Sequence, residues 1–292
     1  MKRRALLAVS AAAWGAAGCT LAPDQDFDEA DAPQEQALVP RPRLAWVFSS
    51  GGPRGFTHVG VLKALHEMRL QPDLLVGASI GSMVCVLYAA VGAQRLYELA
   101  MDVEPQVLLR VAFNSPGGER LWGGALADLV HEHHAGRLLE RLSPRVACVA
   151  AMVDSGRTVA WTAGDAGLAV QASAAIEGTF APVRIRGRRY VDADLHQPLP
   201  VRLARQLGAQ RVVAIDASAH EDRAPVGSER YRAGDLRKRA LTRPDAQMSD
   251  VLLHPYFDYY VSLSRSFRER AMRAGYEATL AQADRLRALH SG

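Results

Sequence analysis

Residues 74–81 of the 292-residue chain read LLVGASIG, an apolar run that closes on Gly77, Ser79 and Gly81. A short apolar run ended by glycine is typical of a buried strand, and the apolar residues that follow favour a helix. A Gly-x-Ser-x-Gly segment between strand and helix forms a nucleophile elbow, because its glycines permit the tight turn that exposes the serine hydroxyl. The stretch therefore predicts an α/β fold with Ser79 as a nucleophile and the Ile80 amide, at the helix start, as a donor to an oxyanion.

The segments on either side continue this alternation of strand and helix. Residues 44–49 form an apolar run ended by glycines, and residues 57–68 carry apolar side chains at helical spacing. Two successive strand–helix units imply a mainly parallel central sheet with right-handed crossovers. Further apolar runs predict strands over residues 146–153, 158–161, 190–191 and 212–215, and helices over residues 79–91, 121–131, 167–176, 199–207 and 251–289.

Residues 220–248 interrupt the pattern. They are polar and rich in arginine, and they are punctuated by Pro225, Gly227, Gly234 and Pro244. This composition predicts a disordered surface loop, with a mobile lid or a membrane-facing arm as the alternative.

The N-terminal residues are typical of a secretory signal peptide. Lys2, Arg3 and Arg4 precede an apolar run that ends at Ala17, and small residues lead directly into Cys19. The run is about thirteen residues long, short of the roughly 20 needed to span a bilayer. Small residues before a cysteine resemble the cleavage box of bacterial lipoproteins, which predicts a lipidated Cys19 as the new N-terminus.

The predicted domains follow from this leader. Residues 1–18 are the signal peptide, residues 19–43 are a flexible polar tether that begins with lipidated Cys19, and residues 44–292 are one acyl hydrolase domain. Cleavage removes three basic residues and no acidic ones, so the formal charge falls from +4 to 4 − 3 = +1. So small a charge removes the case for nucleic acid as a partner. Thr20 favours sorting to the outer membrane of a bacterial envelope, facing the periplasm.

A glycine-rich turn follows the first strand, where residues 49–58 read SSGGPRGFTH. The turn lacks the lysine of a P-loop and the Gly-x-Gly-x-x-Gly spacing of a dinucleotide fold, which argues against nucleotide binding. Adjacent parallel strands end at the same edge of a sheet. The bare amides of Gly51 and Gly52 are therefore predicted to lie beside Ser79 and to donate to the oxyanion.

A serine hydroxyl needs a base to become a nucleophile. Nine histidines are candidates. His196 has the best setting among them, because the others lie on the first helix, in a polar cluster or away from strand ends. The third segment of interest is residues 190–200. It includes Asp192, a carboxylate that directly follows the strand predicted over residues 190–191.

Two groups of residues are candidates for a metal site or for a pair of functional thiols. Residues 131–134 read HEHH, but their polar, arginine-flanked surroundings favour a solvated helix end over a metal site. Cys85 and Cys148 lie in apolar runs and are interpreted as small buried hydrophobic residues. No metal or other cofactor is therefore expected.

Three motifs in this order resemble those of the patatin-like phospholipases, over residues 44–215. The resemblance implies a three-layer α/β/α fold, a Ser79–Asp192 dyad in which the aspartate is the sole base, and a phospholipid or lysophospholipid substrate at a membrane. The matching residues are Gly51, Gly52, Arg54 and Gly55 in the oxyanion motif, Gly77, Ser79 and Gly81 in the elbow, and Asp192 in the aspartate motif. Arg54 is interpreted as a structural residue under the loop, with a lipid phosphate as the alternative partner.

The aspartate motif departs from the family pattern, because Ala193 and Asp194 follow Asp192 where the family has two small residues. Alanine costs about 1 kcal/mol where φ is positive, and a second carboxylate is expected to raise the pKa of one of the pair. Two alternatives stay open. One is a lipid-anchored binding or scaffold protein on a degenerate fold of this family, and the other is a Ser-His-Asp esterase that uses His196. The sequence indicates no oligomeric state.

Overall fold

A computed structural model describes residues 25–103, 123–135 and 138–291. The strands are β1 (Asp26–Phe27), β2 (Leu44–Phe48), β3 (Leu74–Ala78), β4 (Arg145–Met152), β5 (Thr158–Trp161), β6 (Val183–Ile185), β7 (Arg188–Asp192), β8 (Arg211–Ile215) and β9 (Val251–Leu253). The helices are α1 (Phe56–Glu67), α2 (Ile80–Asp102), α3 (Gly124–His133), α4 (Ala166–Ser173), α5 (Val201–Gln206), α6 (Arg232–Gln247), α7 (Arg265–Leu280) and α8 (Ala283–Ser291). The described strands form one sheet in the order β1-β6-β7-β4-β3-β2-β8-β9, with β5 paired to β4.

The central strands are buried on both faces. In β2, Ala45 and Val47 pack in one hydrophobic core, with α5 and α6. Trp46 and Phe48 pack in the other, with α1, α2, α3, α4, α7 and α8. A strand buried on both faces reads as a continuous apolar run, which is why β2 and β3 are visible in the sequence. The three-layer α/β/α architecture with a mainly parallel sheet is confirmed.

Strand pairing brings three functional segments to one region of the sheet. Strands β2, β3 and β4 are parallel, and Phe48 at the end of β2 lies opposite Gly77. Strand β7 runs antiparallel to β4, with Asp192 opposite Ala150. The turn after β2, the turn after β3 and the end of β7 therefore meet.

Helix α2 starts at the turn after β3. Among the described helices it is the one long and apolar enough to cross a membrane, but half of its apolar window is buried inside the domain. Gly92 interrupts it with φ 79° and ψ 171°, a conformation that glycine adopts without a Cβ penalty. Helix α2 is thus a kinked core helix. Cys85 within it and Cys148 in β4 are free and buried, which confirms their interpretation as small hydrophobic residues.

The prediction of a disordered loop over residues 220–248 is wrong for most of this segment, which forms α6. Asp245 is fully buried and accepts a hydrogen bond from Gln197 Nε2 at 2.9 Å. Composition concealed the helix for two reasons. It buries only a narrow stripe, Thr242 and Asp245, and it contains Pro244.

The prediction of a single helix over residues 251–289 is also wrong for the first part of that segment. Residues 251–253 form β9, which extends the sheet by pairing in parallel with β8. Helix α7 begins only after Ser264, whose hydroxyl accepts a hydrogen bond from Phe267 N at 3.3 Å. Serine is a favoured N-cap residue. Ser264 therefore marks the start of a separate helix within the segment that was predicted as one helix.

Residues 25–43 pack on the domain, which differs from the flexible tether predicted for residues 19–43. Strand β1 pairs in parallel with β6, and Gln34 N donates to Ala163 O at 3.0 Å. Ala32 is 1% exposed. Backbone hydrogen bonds of this kind need no apolar periodicity, so a polar composition does not reveal them.

Three predictions fall outside the described residues, in whole or in part. The signal peptide of residues 1–18 and the lipidation of Cys19 stay predictions, as does the start of the helix predicted over residues 121–131.

The contact between α1 and α7 gives a testable stability prediction. A Cβ added at Gly60 would lie 1.8 Å from Met272 O, a backbone atom. Gly60→Ala is therefore expected to lower the free energy of unfolding by about 1–3 kcal/mol, because the two helices must separate.

Gly234→Ala in α6 is the matched control. Nothing lies within 4 Å of the added Cβ, so this change should raise the free energy of unfolding by roughly 0.5–1 kcal/mol. Urea denaturation measures both, and a Gly60→Ala protein as stable as wild type would contradict the close packing.

Candidate active site

Ser79 occupies a strained turn between β3 and α2. Its φ of 56° and ψ of −124° lie in a region that residues other than glycine rarely adopt. A Cβ at Gly77 would lie 2.3 Å from the Gly81 carbonyl carbon, and a Cβ at Gly81 would lie 2.5 Å from Phe48 O. Both positions therefore require glycine, and the turn has the strand–turn–helix geometry that the pentapeptide predicts.

Ser173, the last residue of α4, holds this turn in place. Its Oγ accepts a hydrogen bond from Ser79 N at 2.9 Å and donates to Val149 O at 2.5 Å. Ser82 Oγ lies 2.7 Å from Ser173 Oγ. Because the Ser79 amide is already bonded, the next amide, that of Ile80, is the one this turn can offer to an oxyanion.

The turn after β2 packs directly against the elbow. A Cβ at Gly55 would lie 2.3 Å from Ile80 Cγ1, so no further side chain fits between the loop and α2. Gly52 has φ 52°, in the left-handed region that favours glycine. Among the described residues, the amides of Gly51 and Gly52 donate no hydrogen bond. Both amides are therefore free to donate to an oxyanion.

Buried hydrogen bonds fix the start of this loop. Ser50 N donates to Pro198 O at 2.9 Å, and Ser49 Oγ accepts from Ala217 N at 2.9 Å. His58 Nε2 lies 2.9 Å from Ser49 O. Burial lowers the pKa of His58 to about 4, so the neutral ring donates this hydrogen bond. His58 thus supports the loop.

Arg54 ties the same loop to the segments that follow β8 and β9. Its Nε donates to Ala217 O at 2.6 Å, and its guanidinium donates to Asp258 O at 2.8 Å. The guanidinium also lies 4.4 Å from the centre of the Phe257 ring, and Arg54 is 7% exposed. Its partners belong to the chain itself, which favours the structural role over a lipid phosphate.

Asp192 ends β7 beside the elbow and is 2% exposed. Its backbone N donates to Ala175 O at 2.9 Å, and its Oδ1 accepts from Asp194 N at 2.9 Å. The Ser79 hydroxyl interacts with the carboxylate, whereas Oδ2 makes no hydrogen bond of standard geometry with any described residue. The structure therefore brings the predicted nucleophile and base together and leaves one carboxylate oxygen unused.

The surroundings of Asp192 bring its pKa near neutrality. Burial raises the pKa to about 7, and the charge of Asp194 contributes to the increase. The Ser79 hydroxyl, the Asp194 amide and the Lys238 charge act in the opposite direction. A pKa near ambient pH suits a general base, because the group is ionised at neutral pH and still basic.

Asp194 is held by Lys238 of α6 and by Ser50. Lys238 forms an ion pair with Asp194 and donates to Ser50 Oγ at 2.7 Å, while Ser50 Oγ donates to Asp194 Oδ1 at 2.5 Å. Burial raises the pKa of Asp194, but the Lys238 charge and these hydrogen bonds outweigh it, so the pKa is lowered. Ala193 lies in a short 3-10 turn and does not have a positive φ, so the cost expected for alanine does not arise.

The histidines singled out in the sequence have other partners. His196 Nε2 lies 3.2 Å from Glu177 Oε1, and no contact among the described residues joins it to Ser79. His131 Nε2 lies 2.9 Å from both carboxylate oxygens of Asp165, the N-cap of α4. The end of α3, which was predicted to be solvated, therefore packs on the start of α4. The sequence pattern does not reveal this contact, because His131 and Asp165 are distant in the chain.

The site thus holds the parts of a serine hydrolase. Ser79 offers a hydroxyl in the elbow turn, Asp192 offers a carboxylate oxygen, and the amides of Gly51, Gly52 and Ile80 belong to two turns that pack directly against each other. A nucleophile, a base and fixed amide donors together support acyl transfer.

Comparison with known proteins identifies a family and several relatives. The family model for patatin-like phospholipases matches residues 46–205. An uncharacterized NTE family protein of Mycobacterium tuberculosis is 28% identical over 181 residues, which cover 62% of this chain and 50% of that protein. A lysophospholipase of Coccidioides immitis is 27% identical over 191 residues, which cover 62% of this chain and 12% of that protein. Among solved structures, VipD from Legionella pneumophila aligns with a TM-score of 0.45 and 12% identity, over 93% of this chain and 72% of that one.

The chain spans half or less of the length of these curated relatives. The family model matches residues 46–205, which make up more than half of the chain and include both Ser79 and Asp192. The chain belongs to the patatin-like phospholipase family.

Proposed function

We propose that this protein hydrolyses carboxylic esters of lipids, with Ser79 as nucleophile and Asp192 as its general base. One observation carries the proposal: the strained, buried Ser79 lies beside the buried carboxylate of Asp192, and its hydroxyl is one of the groups that lower the pKa of that carboxyl. Asp192 Oδ2 makes no hydrogen bond of standard geometry with the described residues, so it remains available as a proton acceptor.

The proposed reaction has two halves. Asp192 Oδ2 takes the proton of Ser79 Oγ as Oγ bonds to the acyl carbon, and the amides of Gly51, Gly52 and Ile80 stabilise the oxyanion. The ester bond then breaks, and the protonated Asp192 returns its proton to the leaving alcohol. Water attacks the acyl-serine, again with Asp192 as base, and releases the fatty acid with Ser79 restored.

A phospholipid or lysophospholipid is the substrate class we infer. Family membership supports it, as does the relative named a lysophospholipase. The surface supports it as well, because Tyr256, Tyr260 and Val261 are each at least half exposed and lie in the segment that Arg54 ties to the oxyanion loop. Tyrosine rings with an apolar body and a polar tip suit a lipid–water interface.

Neither alternative from the sequence gains an observation in its favour. The non-catalytic alternative rested on Ala193 and Asp194, and both fit the site without strain or an unpaired charge. The esterase with a histidine base required His196, which pairs with Glu177.

Covalent labelling tests the proposal. A fluorophosphonate probe is expected to modify the wild-type protein at Ser79, and the unlabelled protein is expected to release fatty acid from lysophosphatidylcholine. Peptide mass spectrometry locates the label, and liquid chromatography measures the fatty acid. A folded protein that shows neither would be a binding module rather than a hydrolase.

The neighbours of Asp192 are expected to set the pH dependence of turnover. The base must be ionised, so kcat/KM should rise with pH through about 7, the pKa of Asp192. Asp194→Asn removes a negative charge that raises this pKa and should move the rise to lower pH. Lys238→Met removes a positive charge that lowers it and should move the rise to higher pH, each by on the order of one pH unit.

The two variants control for each other, because both disrupt the same ion pair. Shifts in opposite directions report charge, whereas shifts in the same direction would contradict the electrostatic explanation. The measurement is kcat/KM for a soluble acyl ester across the pH range in which both variants stay folded.

We also propose that the mature protein is anchored in the bacterial envelope, on the outer membrane facing the periplasm, through lipid on Cys19. The small residues before Cys19 and the short apolar leader support this. Cells grown with labelled palmitate are expected to label the wild-type protein. Equal labelling of a Cys19→Ser variant would contradict the anchor.

A further inference from the structure

Strands β8 and β9 end side by side, and each is followed at once by a residue that can bind a metal ion. They pair in parallel with Ile215 opposite Leu253, and Asp216 N donates to Leu253 O at 2.9 Å. Asp216 and His254 are therefore brought together by the sheet itself. His220, in the loop that leaves Asp216, completes a group of three.

The three ligand atoms of this group converge. Asp216 Oδ2 lies 3.7 Å from His220 Nε2 and 3.7 Å from His254 Nδ1, and all three atoms lie within 4.8 Å of one another. A separation of 3.7 Å is too long for a hydrogen bond. Both nitrogens are buried and have no hydrogen-bond partner among the described residues, and Asp216 is 2% exposed. Three buried ligand atoms thus lie close together with no hydrogen bond of standard length between them.

Other contacts hold these side chains in place. Asp216 Oδ1 accepts from Ser218 N at 2.9 Å and from Ser218 Oγ at 2.5 Å, which turns Oδ2 toward the histidines. The rings of His220 and His254 stack with centroids 4.0 Å apart and planes at 17°. Tyr256 packs edge-on against His254, with centroids 4.7 Å apart. Contacts that orient the ligands are a regular feature of metal sites.

We propose that Asp216, His220 and His254 bind a divalent transition-metal ion of the Zn²⁺ class. Two imidazoles and one carboxylate suit Zn²⁺, whereas Mg²⁺ and Ca²⁺ prefer oxygen ligands throughout. Ligand atoms about 2.0–2.2 Å from a tetrahedral ion lie about 3.3 Å from one another. The two observed separations from Asp216 Oδ2, 3.7 Å each, exceed this value by a few tenths of an ångström, and the two histidine nitrogens lie within 4.8 Å of each other.

The ion would act on the fold and is separate from the ester chemistry, which uses Ser79 and Asp192. It would join the ends of β8 and β9 to the loop that carries His220. Ala217, next to Asp216, accepts the Arg54 hydrogen bond and donates to Ser49, so the joined segment supports the oxyanion loop. The expected effect of the ion is therefore higher stability, and this holds whether or not the protein is a hydrolase.

Calorimetric titration of the purified, chelator-treated full chain with Zn²⁺ tests the proposal. One ion per chain is expected, and Zn²⁺ at about 100 times its Kd should raise Tm by roughly 5 °C, with no such increase from Mg²⁺. His220→Ala and His254→Ala should each weaken Zn²⁺ binding at least about 10-fold. His66→Ala, at an exposed position on α1, is the matched control and should bind as wild type does.

A second measurement needs no variant. Co²⁺ added to the wild-type chain should give the visible absorption of a tetrahedral nitrogen–oxygen site, and Zn²⁺ should displace it. Absence of this absorption would overturn the proposal. So would Zn²⁺ binding that survives in the His220→Ala and His254→Ala proteins, or that is lost in His131→Ala, which would move the ion to α3.

Discussion

Ser79→Ala is expected to reduce hydrolysis of acyl esters by at least about 10⁴-fold, because the change removes the atom that bonds to the acyl carbon. The loss should fall on kcat, since the amides of Gly51, Gly52 and Ile80 remain available to bind the carbonyl oxygen. Fluorophosphonate labelling should disappear with it. Hydrolysis of a p-nitrophenyl acyl ester measures the rate over this range.

Ser155→Ala is the matched control for this experiment. Ser155 is exposed, and its Oγ accepts only a weak local bond from Arg157 N at 3.2 Å. This protein should keep wild-type turnover and labelling. A Ser79→Ala protein that retains more than a few per cent of wild-type turnover would place the nucleophile elsewhere.

Asp192→Asn is expected to lower kcat by about 10²- to 10⁴-fold, the usual contribution of a general base. Asparagine keeps the shape of the side chain, and its Oδ1 can still accept from Asp194 N, so the turn after β7 should remain. Its amide cannot take the proton of Ser79. The pH dependence near 7 should vanish along with the rate, because the group that produces it is gone.

Thermal denaturation separates loss of the base from loss of the fold. At a pH above 7, wild-type folding must bury an ionised carboxylate, which Asp192→Asn avoids, so Tm of the variant should not fall. A His196→Ala protein should keep its activity, since His196 pairs with Glu177. Full activity in Asp192→Asn together with loss in His196→Ala would instead identify a histidine-based triad.

The parts of the fold that the sequence predicted well are those with a strong local signal. Strands β2 and β3 are buried on both faces, so they appear as unbroken apolar runs. The turn at Ser79 could be predicted because its conformation demands glycine on both sides. Asp192 was found by resemblance to a family motif, since its pairing with Ser79 depends on strands distant in the chain.

The parts that sequence reasoning missed depend on long-range contacts. Ser173 positions the elbow, and its only local signal is a serine at the end of the mostly apolar helix α4. Lys238 neutralises Asp194 from α6, a segment predicted to be disordered because its polar composition hides a narrow buried stripe. The concern about Asp194 from the sequence alone was right in direction, since its charge does raise the pKa of Asp192, but the neighbouring lysine opposes it.

The pH dependence of fluorophosphonate labelling tests the central claim most directly, because it follows the activation of Ser79 without product release. In the wild-type protein the labelling rate should rise about tenfold per pH unit and level off above about pH 7, and in Asp192→Asn it should be slow at every pH. A wild-type rate that does not change between about pH 5 and about pH 9, or an unchanged rise in Asp192→Asn, would contradict the Ser79–Asp192 dyad.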